Sequence, residues 1–206
     1  MIKIFSVVLI AVSVLCGFYF VHKNDLRNKN EMEMEKYKKA DITFNKNIGK
    51  ALVVYYSFSG NTEKIARIIQ KNISADTLKI EMLQPYKSTT QAYFSFIDIK
   101  TKKFPALKNQ QSDFSNYDII FVGSPVWFYT LAPPLFSFLN SANFNGKKVV
   151  PFATHMGNVG HFFKDFKENA KNAKILKEEA FFSVSKEAEN ALENKVADWL
   201  NKLYES

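Results

Sequence analysis

Residues 57 to 62 read Ser57-Phe58-Ser59-Gly60-Asn61-Thr62, with three hydroxyls, one carboxamide and a glycine in six positions. On one side lies an unbroken β-prone apolar run, Ala51 to Tyr56. On the other, Ile65, Ala66, Ile68 and Ile69 recur at helical spacing. A strand that turns directly into a helix aims several backbone N–H groups at one point, and the helix start adds the positive end of its dipole. With Ser57, Ser59, Asn61 and Thr62 as further donors and Gly60 giving the turn its freedom, the chemistry on offer is capture of a terminal phosphate monoester. No Lys follows Gly60, which separates this loop from the GxxxxGK[ST] cradle of nucleotide triphosphates. The plainer alternative is a strand-to-helix turn with Ser and Thr as caps.

Two further stretches carry polar or flat groups past the end of a strand. Tyr117-Asp-Ile-Ile-Phe-Val-Gly123 reads as a buried strand and runs into Ser124-Pro125-Val126-Trp127-Phe128-Tyr129. That loop offers apolar surface and backbone polar groups, which suit the faces and the edge of a planar ring. Thr154-His155-Met156-Gly157-Asn158 follows another strand and adds a hydroxyl, an imidazole and small residues. Taken singly, Trp127 also fits a core position, Met156 a packing position and His155 a loop hydrogen-bonder.

The elements that must position these loops alternate along the chain. Strands are expected over 51–56, 76–83, 117–123, 147–153 and 180–184. Helices are expected over 61–73, about 89–99, 133–140 and 159–172, with a last one capped by Ser185 that carries Ala188, Ala191, Leu192, Val196, Trp199, Leu200 and Leu203 on one face. Such alternation predicts an α/β domain with a parallel sheet covered on both faces and right-handed crossovers. Ligands in these folds sit beyond the carboxyl ends of the strands, and all three loops leave that edge.

The order Val53-Val54-Tyr55-x-Ser57-x-x-Gly60-x-Thr62-x-x-x-Ala66-x-x-Ile69 resembles the phosphate-loop signature of flavodoxins. Val122-Gly-Ser-Pro-Val-Trp127 followed by Ala132-Pro-Pro134 is similar to a flavodoxin-like group with Gly-Ser-Pro-(Ile/Val)-Trp and Ala-Pro-Pro. That group has a Thr-His-Gly-Gly-type loop after its fourth strand, and this chain departs from it with Met156. The resemblance covers about residues 50 to 204 and implies a three-layer sandwich around a five-stranded parallel sheet of order 2-1-3-4-5. Flavodoxins are a stock example of that order. It also implies flavin mononucleotide (FMN) as cofactor. The binding residues it implies are Ser57, Ser59, Gly60, Asn61 and Thr62 in the first loop, Ser124, Pro125, Val126, Trp127 and Phe128 in the second, and Thr154, His155, Gly157 and Asn158 in the third.

Composition narrows the alternatives. The formal net charge is +8, and residues 1–50 hold nine basic against five acidic side chains, so half of the excess lies outside the globular body. The remaining lysines are scattered rather than gathered with aromatics into a basic patch, which argues against nucleic acid as a partner. One cysteine, Cys16, leaves no internal disulfide or cysteine cluster, and His155 and His161 are not spaced as a helical zinc pair, so no metal is expected. Gly-Ser124-Pro is not the GxSxG elbow of a hydrolase.

Residues 4 to 21 carry no charge, and about 27 Å of helix would match a bilayer. Residues 1–22 are therefore expected to be an anchor or signal segment, 23–49 a polar tether without an apolar stripe, and 50–206 the folded domain. Basic residues behind the apolar run place the body in the cytoplasm, with an exported body as the alternative. The functional expectation is a membrane-tethered FMN protein passing electrons to a partner protein or reducing a small acceptor such as a quinone. The alternative is a domain of the same fold that binds no flavin and serves in interaction or regulation.

Overall fold

The computed structural model of the protein describes residues 21, 24–109 and 113–203. A helix over residues 24–38 (α1) precedes β1 (Ala51–Tyr55), α2 (Asn61–Ile73) and β2 (Asp76–Lys79). Next come two short helices, α3 (Thr89–Phe94) and α4 (Phe96–Thr101), then β3 (Ile119–Trp127), β4 (Thr130–Leu131) and α5 (Pro133–Ser141). The chain continues through β5 (Lys148–His155), α6 (Phe162–Asn169), β6 (Lys174–Ile175), β7 (Glu179–Phe182) and α7 (Glu189–Lys202).

The sheet runs β2-β1-β3-β5-β6, every neighbour on that path parallel, as expected from the alternating elements. Side chains of β1 alternate between two cores. Ala51, Val53 and Tyr55 join α2 and α7 on one face, whereas Leu52, Val54 and Tyr56 join α5 and α6 on the other. Burial on both faces explains why this strand reads as a continuous apolar run.

The sheet has seven strands rather than five, for two local reasons. The fifth position is broken: β6 pairs with Lys148–Val149 and β7 with Phe152–His155, both along the same edge of β5. Meanwhile β3 outruns its expected end and folds back, so that Val126 and Trp127 pair antiparallel with Leu131 and Thr130. Other departures are smaller. The second strand stops at Lys79, the expected helix over 89–99 is split at Ser95, and α7 starts after Ala188, which makes no side-chain cap bond. Ser185 lies instead in a short 3-10 turn.

The segment before β1 differs most from its sequence reading. Asn30, Met34 and Tyr37 are buried at i, i+4 and i+7, one face of α1 laid on the body. The Tyr37 hydroxyl donates to Asp198 (2.6 Å), and Lys195 Nζ reaches Glu33 (2.8 Å) while itself only 5% exposed. Asn194 receives the Ile42 N–H and donates to the Tyr37 and Ala40 carbonyls, which pins the chain beyond the helix. Residues 24–49 are thus a packed strap, not a free tether, because α7 supplies polar partners for a stripe too thin to hold by apolar burial alone.

Among the described residues no helix is long and apolar enough to cross a membrane. The apolar run at 4–21, apart from Val21, lies outside the described residues.

Candidate functional site at the carboxyl edge of the sheet

The first loop begins where β1 ends. Tyr56 N–H still bonds to the Gly123 carbonyl (3.0 Å), so the chain leaves the sheet only at Ser57. The Ser57 hydroxyl accepts from Gly60 N–H (3.1 Å) and closes the turn. Gly60 has φ 88°, a left-handed conformation that costs an L-residue about 1 kcal/mol or more. A Cβ there would meet nothing within 4 Å, so one side of the turn is open space. The first helical bond of α2 is Lys64 N–H to the Gly60 carbonyl (2.9 Å), which leaves the N–H groups of Asn61, Thr62 and Glu63 ahead of it at the helix mouth.

Thr62 is buried and its hydroxyl meets that of Thr154 at 2.8 Å, tying the first loop to the end of β5. Two hydroxyls hold two hydrogens and their mutual bond uses one, so the pair retains one to donate. These features fit a phosphate: a left-handed turn with open space beside it, leading N–H groups and a spare hydroxyl hydrogen.

The second loop divides. Ser124 is fully buried within β3 and its hydroxyl donates to the Pro125 carbonyl (3.0 Å), so it does not reach the edge. Pro125 pairs with Thr154 in register, and Val126 and Trp127 are partly buried beside it. Trp127 stands at the centre of an aromatic group, with ring centroids 5.9 Å from Tyr56, 5.7 Å from Phe58 and 5.6 Å from Tyr86. Burial pushes the Tyr56 and Tyr86 phenols up, so both walls stay neutral at ordinary pH.

Phe128 turns the other way. It and Tyr129 form a two-residue turn between Trp127 and Thr130, with φ of 50° and 65°. Such turns ordinarily use Asn and Gly, and two bulky rings in this region store backbone strain. The Phe128 ring lies against Tyr93 and Phe96 (5.8 and 5.9 Å), away from Trp127.

In the third loop His155 is part-buried, its Nδ1–H donating to the Gly157 carbonyl (2.8 Å) and its ring edge-on to Phe182 (5.5 Å). Burial holds this imidazole below its ordinary range. The Asn158 carboxamide accepts from Gly160 N–H (2.7 Å), and Met156 is exposed. Gly160 itself has φ 57°, and a Cβ there would lie 2.3 Å from the Tyr129 carbonyl oxygen, so the third loop packs directly on the strained turn. His161 N–H donates to that same carbonyl (2.8 Å). Its Nδ1–H faces Asp165 Oδ2 (2.5 Å), which also receives the Thr130 hydroxyl.

The structure therefore brings Ser57, Gly60, Thr62, Thr154, Pro125, Val126 and Trp127 to one place, with His155 and Gly157 beside Thr154. Ser59, Asn61 and Asn158 stand at the loop surfaces. Tyr56, Phe58 and the Thr130–His161–Asp165 group were missed in the sequence. Only the i, i+4 spacing of His161 and Asp165 hinted at that group. Among the described residues no cluster of His, Cys, Asp or Glu is arranged to hold a metal.

Comparison with known proteins gives the family and the fold. The family model described as Flavodoxin matches residues 50–203. Flavodoxin 1 of Salmonella typhimurium is 30% identical over 104 residues, 48% of this chain and 46% of that protein, so the chain spans about half the length of the curated relatives it matches. A protein from Bacteroides uniformis superposes with a TM-score of 0.62 at 25% identity, covering 76% of this chain and 99% of its own. A flavoprotein from Lactobacillus acidophilus, solved in complex with FMN, gives 0.57 at 25% identity over 64% and 93%.

Proposed function

From the premise that this chain belongs to the flavodoxin family, we propose that it is a redox protein holding FMN across the three loops at the carboxyl edge of its sheet. The observation that carries the reading is the open left-handed turn at Gly60 leading into α2, clasped to β5 through Thr62 and Thr154. The Lactobacillus acidophilus flavoprotein solved with FMN supports the identity of the ligand. Ser57, Ser59, Gly60, Asn61 and Thr62 hold the phosphate. Pro125, Val126 and Trp127 offer backbone groups and a flat wall to the ring, with Phe58 beside them. Thr154, His155, Gly157 and Asn158 line the far side. Electron transfer is the chemistry that the flavin supplies when bound; the chain orients the ring and excludes water from one of its faces.

Residues 1–206 contain no GxGxxG fingerprint; we take the electrons to arrive from a partner protein or from a nicotinamide that docks over the flavin. They leave to a partner protein or to a small acceptor such as a quinone. Soluble flavodoxins that shuttle electrons are usually acidic, whereas residues 51–206 hold nineteen basic and fifteen acidic side chains, which favours a different docking partner or a small acceptor. The same reading takes residues 4–21 as an anchor with the body on the cytoplasmic side, supported by their lack of charge and by the lysines that follow. Recovery of the full chain in the soluble fraction of lysed cells would overturn that part.

The test is an absorbance spectrum after reconstitution with FMN, followed by anaerobic NADH or NADPH. One flavin per chain is the expected result, and no flavin would reject the proposal. Direct reduction by nicotinamide would mark an oxidoreductase, and reduction only with an added reductase would mark a carrier.

A further inference from the structure

Behind the Phe128 turn lies a cleft of about 440 Å³ that none of the phosphate-loop residues lines. Tyr93, Phe96 and Phe128 pack edge-to-face on one another as its aromatic floor, with buried Thr130 and exposed His161 also among its lining residues. Lys100 stands at the rim with its ammonium 5.9 Å from the Phe96 ring centroid. It makes no ion pair among the described residues, so its charge is available to an incoming group. His161 is held by Asp165 through Nδ1, which leaves Nε2 as the nitrogen free to meet a ligand. The Thr130 hydroxyl is already directed at Asp165 and serves to fix that carboxylate.

Two features set this cleft apart from ordinary surface. Its aromatic wall is presented by a turn whose two residues, Phe128 and Tyr129, both adopt φ values that bulky side chains avoid, and the packed third loop keeps them there. The polar groups, moreover, are few: the Lys100 ammonium, without an ion pair among the described residues, and the His161 imidazole nitrogen line the same cleft as the three rings. Small-molecule sites have this composition, apolar walls with a small number of placed polar groups.

We infer that this cleft is a second ligand site, for a planar aromatic molecule bearing a carbonyl or carboxylate oxygen at its rim. Tyr93, Phe96 and Phe128 take the ring edge-on or offset. Lys100 and His161 Nε2 take the oxygen. Binding rests on the chain's own residues and does not require the flavin. Only the role of such a molecule as the small redox acceptor rests on the function proposed above, since the cleft and the Trp127 group flank the same turn.

The test uses 2-naphthoate, a flat redox-inert carboxylate, in equilibrium dialysis against the full-length protein with and without saturating FMN. Expected is saturable binding of one probe per chain, present in both conditions. Lys100→Met should weaken it by roughly tenfold, with cyclohexane carboxylate binding no better to the parent than naphthoate does to that variant. His161→Gln and Phe96→Ala should each weaken it, and Lys100→Met guards against misfolding because Lys100 is exposed. Absence of saturable binding, displacement of the probe by FMN mole for mole, or unchanged affinity in Lys100→Met would each overturn the inference. A protein that takes naphthoate and no FMN would sustain this site while rejecting the flavin.

Discussion

Trp127 and Phe128 are neighbours in the chain and belong to different neighbourhoods. Trp127, still in β3, packs with Tyr56, Phe58 and Tyr86 over the first loop. Phe128, one residue into a left-handed turn, packs with Tyr93 and Phe96 from α3 and α4. The difference lies in the backbone, not in the side chains. A strand alternates its side chains between faces, and the turn then throws the next two outward. A run of aromatic residues that reads as one surface in sequence therefore serves two, one facing the phosphate loop and one facing a separate cleft.

The largest effect is expected where the turn is held. In Gly160→Ala the new Cβ would have to displace the Tyr129 carbonyl at 2.3 Å, and that neighbour is backbone. A loss of about 2–4 kcal/mol in urea unfolding is expected, with weakened ligand binding on both sides of the turn. An unchanged midpoint would show that the turn is not braced by the third loop.

Next comes the partition itself. Trp127→Ala should weaken FMN binding by about 2 kcal/mol, roughly thirtyfold, whereas Phe128→Ala should change it by less than about twofold. Equal losses in a fluorescence titration would merge the two aromatic groups into one site. Gly60→Ala separates stability from binding. Its Cβ meets nothing in the chain, so folding should lose only the left-handed penalty of about 1 kcal/mol while FMN affinity falls by roughly tenfold or more. Loss of stability without loss of affinity would remove the phosphate from this turn.

The smallest expected effect is a pH dependence from the third loop. His155 is depressed by burial, so its contribution to stability is present above its unfolded value near 6.5 and is lost as pH falls through the lower folded value. Urea midpoints of the parent should therefore drop on acidification through that window more than those of His155→Asn, which keeps an N–H for the Gly157 carbonyl. Parallel profiles would contradict it.

The readable parts of the chain were those where one physical demand set every residue. The first strand is apolar because both its faces are buried, α2 is periodic because one face is, and the loop between them carries the hydroxyls and glycine that its turn requires. The parallel order followed from these elements and the family resemblance. What stayed hidden lacked such a demand. Helices α3 and α4 have six residues each, too few for a period to show. The Phe128–Tyr129 turn has no Asn or Gly to announce it. The strap before β1 is held by a stripe of one carboxamide, one thioether and one phenol, completed by Asn194 and Lys195 from the other end of the chain. Ser124 matched the family's motif, yet its hydroxyl is spent on the Pro125 carbonyl, a local contact that no residue pattern announces.

The claim on which the rest depends is that the open turn at Gly60 receives a phosphate. Calorimetric titration of the full-length protein with FMN and with riboflavin, which share the ring and differ in the phosphate, tests it most directly. FMN binding at least about a hundredfold tighter than riboflavin is the predicted result, since several N–H donors and a helix start converge on the missing group. Equal affinities would contradict the account and place whatever binding exists on the aromatic groups alone.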